Sequence, residues 1–263
     1  MRIPDPLRKP RTIVEIFIIG NLAFLAVDVY VAHLTNAFER RPEWLPVMFS
    51  IAAPLLLIVA NRLAGMLVGW LSLLVGIGGM LYHLQSHFFA EQTIRNLVYT
   101  APFVAPLAYA GLGMLLILDR MVDPESTEWA QWVLFLALGG FGGNLVLSLA
   151  DHAQNGFYNR EEWVPVFAAA IGCAFLLMLV MRPRDRVLWR WTVSIMAAQL
   201  LIGAIGFGLH LRANLARPAA NVLDRFLYGA PIFAPLLFAN LAILAGIGLW
   251  AMRRAESWVL SAE

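Results

Sequence analysis

Charge is what this chain has least of. Only 14% of its 263 residues are charged against 60% hydrophobic, and the mean hydropathy is +0.72. A soluble domain of this length needs far more charge to cover its surface, so that class is excluded. The net charge is only +2, and the basic residues are scattered over loops. Without a basic patch there is no electrostatic footprint for nucleic acid. Cysteine is scarcer still. The lone Cys173 falls in an apolar run, so neither a disulfide framework nor a thiolate metal cluster can be built. The sequence holds no Cys-x-x-Cys-His, which excludes covalent haem attachment at the usual motif. Five histidines are few for a multinuclear metal site. Ionisable residues are nearly absent from the middle of the later apolar runs, where an ion path would leave a trail of them.

What is present is apolar sequence in lengths of about 20 residues, enough to cross a hydrocarbon core as helices. Eight such runs are legible, at 12–33, 44–61, 63–84, 99–119, 129–151, 163–181, 188–210 and 228–252. Little remains outside them, so no separate soluble domain is expected. Arg2, Arg8, Lys9 and Arg11 precede the first run. It is too long for a signal-peptide core and reads as the first membrane helix.

Counting Lys and Arg by side orients the bundle. Twelve (Arg2, Arg8, Lys9, Arg11, Arg62, Arg120, Arg182, Arg184, Arg186, Arg190, Arg253, Arg254) fall with the termini, and the other seven of the 19 on the opposite side. The positive-inside rule then puts both termini in the cytoplasm of a bacterial-type inner membrane.

The chain is internally duplicated. Residues 33–47, HLTNAFERRPEWLPV, return as 152–166, HAQNGFYNREEWVPV, with His, Asn, Phe, Arg, Glu, Trp, Pro and Val retained in place. Residues 99–107, YTAPFVAPL, return as 228–236, YGAPIFAPL. The expected fold is therefore an all-α integral membrane protein of two tandem four-helix repeats, residues 1–122 and 123–263. An even helix number returns the chain to its starting side, so the relating pseudo-two-fold axis lies along the membrane normal. The paired prolines Pro102/Pro106 and Pro231/Pro235 are expected to open the fourth and eighth helices, where missing N–H groups cost least. Gly139, Gly140, Gly142 and Gly143 suggest close helix approach. Trp44, Trp129, Trp132, Trp163, Trp189, Trp191 and Trp250 near helix ends read as interfacial anchors.

On this topology His33, His83, His87, His152 and His210 all lie at the extracytoplasmic ends of odd-numbered helices. His33 aligns with His152 and His83 with His210. Asp28, one to two turns deeper than His33, stands in an apolar helix where its aligned partner is Leu147. Such a group must pair, neutralise or face a cavity. Asp28 and His33 are the candidate catalytic proton acceptors, and His83, His152 and His210 the candidate cofactor-binding residues. His83 and His87, four apart, suit two ligands on one helix face to Cu, Fe or Zn.

The expected function is a redox membrane subunit. It would handle a quinone or haem b at the extracytoplasmic side, with the lipid bilayer and other extracytoplasmic protein subunits as partners. The alternatives are a metal-dependent membrane enzyme, a structural or assembly subunit that docks a partner through its outer loops, and a transporter of small uncharged solutes. Simple interfacial hydrogen bonding of the histidines is the plainest reading of all.

Overall fold

A backbone surrounded by lipid must satisfy its own hydrogen bonds, and a run of apolar residues does so as helix. The computed structural model describes residues 9–59 and 61–262, with side chains of the last helix as far as residue 255. The chain is 79% helix, without strands among the described residues. Arg2 and Arg8 of the N-terminal cluster lie outside the described residues. The helices are α1 (Pro10–Leu34), α2 (Trp44–Val59), α3 (Arg62–Leu84), the short α4 (Ile94–Tyr99), α5 (Leu107–Met121), α6 (Thr127–Gln154), α7 (Trp163–Met181), α8 (Arg186–Ala216), the short α9 (Val222–Leu227) and α10 (Leu236–Ala262). Seven of them, all but α4, α5 and α9, are long and apolar enough to cross a membrane. The chain is a multi-pass membrane protein.

Caps fix several helix starts. Asn61, Ser126 and Asp185 each accept a backbone N–H of the following first turn, which satisfies donors the helix itself leaves free. Within the bundle α1 packs on α2, α3 on α5, α6 on α7, and α10 on both α6 and α8. Between the two halves of the sequence, α1 meets α10 as α5 meets α6, and α1 meets α9 as α6 meets α4. The core sits where these meet. Ile18, Leu115, Leu116, Leu134, Phe141, Leu176 and Ala245 are almost wholly enclosed. The outer faces of α2, α3, α7 and α8 stay apolar and exposed, as with Met48, Leu55, Leu67, Phe167 and Leu201. Such faces suit hydrocarbon rather than water.

The paired prolines do something other than open a helix. Residues 100–106 and 229–235 are turns, and α5 and α10 start only after the second proline. The residue before a proline is disfavoured in the helical region, and here each Pro is preceded by Ala. The chain enters the helix through i→i+3 bonds: Leu107, Ala108 and Tyr109 donate to the carbonyls of residues 104–106, and Leu236, Leu237 and Phe238 to those of 233–235. Consequently α5 has 15 residues, about 22 Å at 1.5 Å per residue.

Gly76 and Gly203 admit these corners. A Cβ on Gly76 would lie 2.5 Å from the Ala110 nitrogen, and one on Gly203 2.9 Å from the Ala239 nitrogen. The glycine group of α6 is only half used for approach. Gly140 faces Leu241 and Gly143 faces Val104, whereas Gly139 and Gly142 meet open space. Trp129 is not an interfacial anchor: it is fully buried in the core.

Candidate functional site

All five histidines lie at one end of the bundle, the C-terminal ends of α1, α3, α6 and α8 and the turn after α3. They do not gather in one pocket. The His33 and His83 rings meet edge to face, with centroids 6.3 Å apart and planes at 69°. His152 and His210 lie within each other's electrostatic reach. Among the described residues no ring contact joins one pair to the other.

The turns that hold these pairs are built alike. After α1, Ala37 and Phe38 take positive φ; after α6, Gly156 and Phe157 do. A bulky residue in the left-handed region is strained. Each phenylalanine lies flat on the tryptophan that opens the next helix, Phe38 on Trp44 at 4.0 Å and Phe157 on Trp163 at 3.9 Å. The stacks hold the turns in place and set Phe38 beside His33 and Phe157 beside His152.

Hydrogen bonds fix the tautomers. Nδ1 of His33 donates to the Val29 carbonyl, that of His83 to Pro102, and that of His210 to Pro231, at 2.9, 2.9 and 2.8 Å. A carbonyl only accepts, so in the neutral ring Nε2 carries the lone pair. These bonds also tie the histidine helices to the irregular proline segments, as a second bond on carbonyls that already accept the Ala105 and Ala234 N–H groups. Asn214, buried on α8, clamps Ala230 at both its N–H and its carbonyl. Ser86 does half of this work in the first half of the sequence, accepting the Ala101 N–H at 2.9 Å.

His87 stands elsewhere than the four-residue spacing implies. α3 ends at Leu84, so His87 lies in the following turn, exposed, with Nδ1 3.4 Å from Ser86 Oγ. It is not one helical turn above His83. Among the described residues no three His, Cys, Asp or Glu side chains converge to enclose a metal ion.

Glutamates complete each pair, a contribution that sequence reasoning missed although both repeat. Glu43 is buried, its Oε1 accepts from Asn36 Nδ2 at 3.1 Å, and its Oε2 has no hydrogen-bond partner. It is within electrostatic reach of His83. Glu162 sits 3.6 Å from His152 Nδ1.

Asp28 is half-buried on α1 and makes neither a hydrogen bond nor an ion pair among the described residues. Its charge is felt at the Tyr109 hydroxyl. Tyr109 is buried, with its hydroxyl 2.6 Å from Ser50 Oγ and 3.2 Å from the Pro46 carbonyl. At the repeat's offsets Asp28, Ser50 and Tyr109 correspond to Leu147, Ala169 and Phe238. The polar trio exists in the first half alone. Asp151, without a hydrogen bond or ion pair among the described residues, lines a narrow cleft between α6 and residues 97–104.

The donor set suits an iron porphyrin or a quinol on one count. It offers imidazoles whose Nδ1 is tied to a carbonyl and whose Nε2 is left for a ligand, the arrangement that orients metal-ligating and proton-accepting histidines. No protein-family model, no curated protein and no solved structure matches the chain.

Proposed function

We propose that this chain is the membrane subunit of a redox complex that takes a quinol, or holds a haem, at the extracytoplasmic face through the His33/His83 pair and Asp28. One observation carries the reading. Two imidazoles meet edge to face at 6.3 Å, each with Nδ1 committed to a carbonyl, within electrostatic reach of Glu43, whose buried Oε2 has no hydrogen-bond partner among the described residues. A quinol hydroxyl needs a base within hydrogen-bond reach, and Nε2 of either ring is that base. Asp28, one to two turns deeper, receives the second proton, and the quinol's two electrons pass to a one-electron redox centre carried by the partner subunit, leaving the quinone. A haem, when bound, supplies one-electron transfer, and His33 and His83 are the residues that would hold it. His152 and His210 form the corresponding pair in the second half. There the trio Asp28, Ser50 and Tyr109 is replaced by apolar residues, so the reaction belongs to the first half and the second is its scaffold.

The proposal includes the architecture. The chain spans eight times, α5 together with residues 100–106 making the fourth span, as two four-helix units, 1–122 and 123–263. The matched contacts α1–α10 and α6–α5 support a pseudo-two-fold axis along the membrane normal. Both termini face the cytoplasm of a bacterial-type inner membrane, with protein partners on the histidine side. The metal-enzyme alternative at His83 and His87 has less support, because His87 lies in the turn beyond α3.

The test uses the intact complex, purified gently. Asp28→Asn and His33→Ala each lower quinol-linked turnover at least tenfold, while His152→Ala leaves it within about twofold; a tenfold loss is about 1.4 kcal/mol of barrier. A reduced-minus-oxidised Soret difference that disappears in His83→Ala identifies haem as the occupant. Unchanged turnover in all variants, with no Soret band, overturns the proposal.

A further inference from the structure

A second charged constellation lies at the opposite end of the bundle. Arg120, near the end of α5, pairs with Glu15 of α1, and Asp119 is fully buried with Arg11 at 3.5 Å and Arg120 at 3.6 Å. Arg11 also donates to the Asp119 carbonyl at 2.7 Å. Arg120 can lie across α3 only because residue 65 is glycine: a Cβ there would stand 2.6 Å from its Nε. At the repeat's offsets Arg11, Glu15, Arg62, Asp119 and Arg120 correspond to Ala130, Leu134, Trp189, Gly248 and Leu249. A bundle of this design evidently packs without charge here, so the cluster is an addition peculiar to the first half.

Beside it opens a pocket of about 370 Å³, walled by Arg11, Arg62, Arg120 and the turn 121–124. Glu15 and Asp119 answer Arg120 and Arg11 from behind the wall. Arg62 makes no hydrogen bond or ion pair among the described residues. The one carboxylate in the wall, Asp123, already accepts the Glu125 N–H at 3.1 Å. Arg62 is also the first residue of α3, whose Asn61 cap takes the Ala64 N–H and leaves the N–H groups of residues 62 and 63 to a ligand. Among the described residues the Arg120 Nε has no hydrogen-bond partner, and it lies buried against Gly65 rather than in the pocket.

We propose that this pocket binds a phosphate-bearing anion, with Arg62 and the α3 N-terminus as its principal contacts and Arg11 and Arg120 closing round it. The pocket lies where α1 and α3 begin and α5 ends, the level of lipid phosphates, and basic pockets between membrane helices are known to take such headgroups. A lipid headgroup and a soluble phosphate share this chemistry, and the test separates them. The inference is independent of the redox reading, because it concerns the other end of the molecule.

Delipidated full-length protein is titrated with phosphatidylglycerol and read by native mass spectrometry, and separately with inorganic phosphate and read by thermal unfolding. The wild type retains the lipid, and Arg62→Gln weakens retention about tenfold, as expected for one charge-assisted contact. Asp119→Asn strengthens retention by removing a negative charge behind the wall, whereas Arg217→Gln at the far end changes nothing. Stabilisation by inorganic phosphate that Arg62→Gln abolishes, without lipid retention, assigns the site to a soluble phosphate. Equal behaviour of wild type and Arg62→Gln toward both probes, or weaker binding in Asp119→Asn, overturns the proposal.

Discussion

Replacing Asn214 with alanine tests how the irregular proline segments are held. Asn214 is 1% exposed and makes two hydrogen bonds to one residue, accepting the Ala230 N–H at 2.7 Å and donating to the Ala230 carbonyl at 2.9 Å. No helix or ladder is available to rescue those groups. Each orphaned buried polar group costs about 1–3 kcal/mol, so Asn214→Ala is expected to destabilise the bundle by about 2–4 kcal/mol. Asn214→Asp keeps the acceptor and loses the donor, so it falls between wild type and alanine. His210→Ala and His33→Ala each remove one of two bonds at a carbonyl: Pro231 keeps the Ala234 N–H at 3.3 Å, and Val29 keeps its helical bond from the His33 N–H, so each costs about 0–1 kcal/mol. The assay is reversible unfolding in mixed micelles, followed by far-UV circular dichroism against denaturant. The reasoning fails if the four variants lose equal stability, or if Asn214→Ala costs no more than His33→Ala.

Gly76→Ala drives a Cβ to 2.5 Å from backbone and should cost about 1–3 kcal/mol, whereas Gly78→Ala, with open space around it, is neutral or stabilising by up to ~1 kcal/mol; the same unfolding assay decides. Arg120→Ala leaves the fully buried Asp119 with Arg11 as its one ion partner and takes from Glu15 its own, and is expected to cost about 3–5 kcal/mol. In the double variant with Asp119→Ala the loss is smaller than the sum of the two single losses. In a Cys173→Ala background, Tyr158→Cys, exposed at the histidine end, reacts with a membrane-impermeant maleimide on intact spheroplasts. Asp123→Cys reacts only after permeabilisation; the reverse pattern inverts the proposed orientation.

Apolar run length made most of the spans legible, because nearly every backbone bond of such a run is internal to it. The bounds of α2, α3, α6 and α7 fall within three residues of the expected runs. Windowed hydropathy is blind to what breaks a helix while remaining apolar. Residues 100–106 and 229–235 read as helix, yet their prolines impose turns whose bonds go to His83, Ser86, His210 and Asn214, between 15 and 21 residues away in sequence. The repeat located the histidines at one end, because helix length alone fixes depth. It did not separate them into two pairs, which depends on which helices touch. Trp129 reads as an anchor from its place near a helix end, but its depth is set by packing inside the bundle. Tyr109 and Ser50 carry no charge to mark them in an apolar run; the signal for them is their apolar counterparts Phe238 and Ala169 in the other half.

A density map of the gently purified complex, with lipids and partners retained, puts the redox assignment to its most direct test. The account predicts non-protein density against Nε2 of His33 or His83, with Asp28 facing the same space. Imidazoles that meet nothing but water or acyl chains, with Asp28 turned into a helix contact, would contradict it.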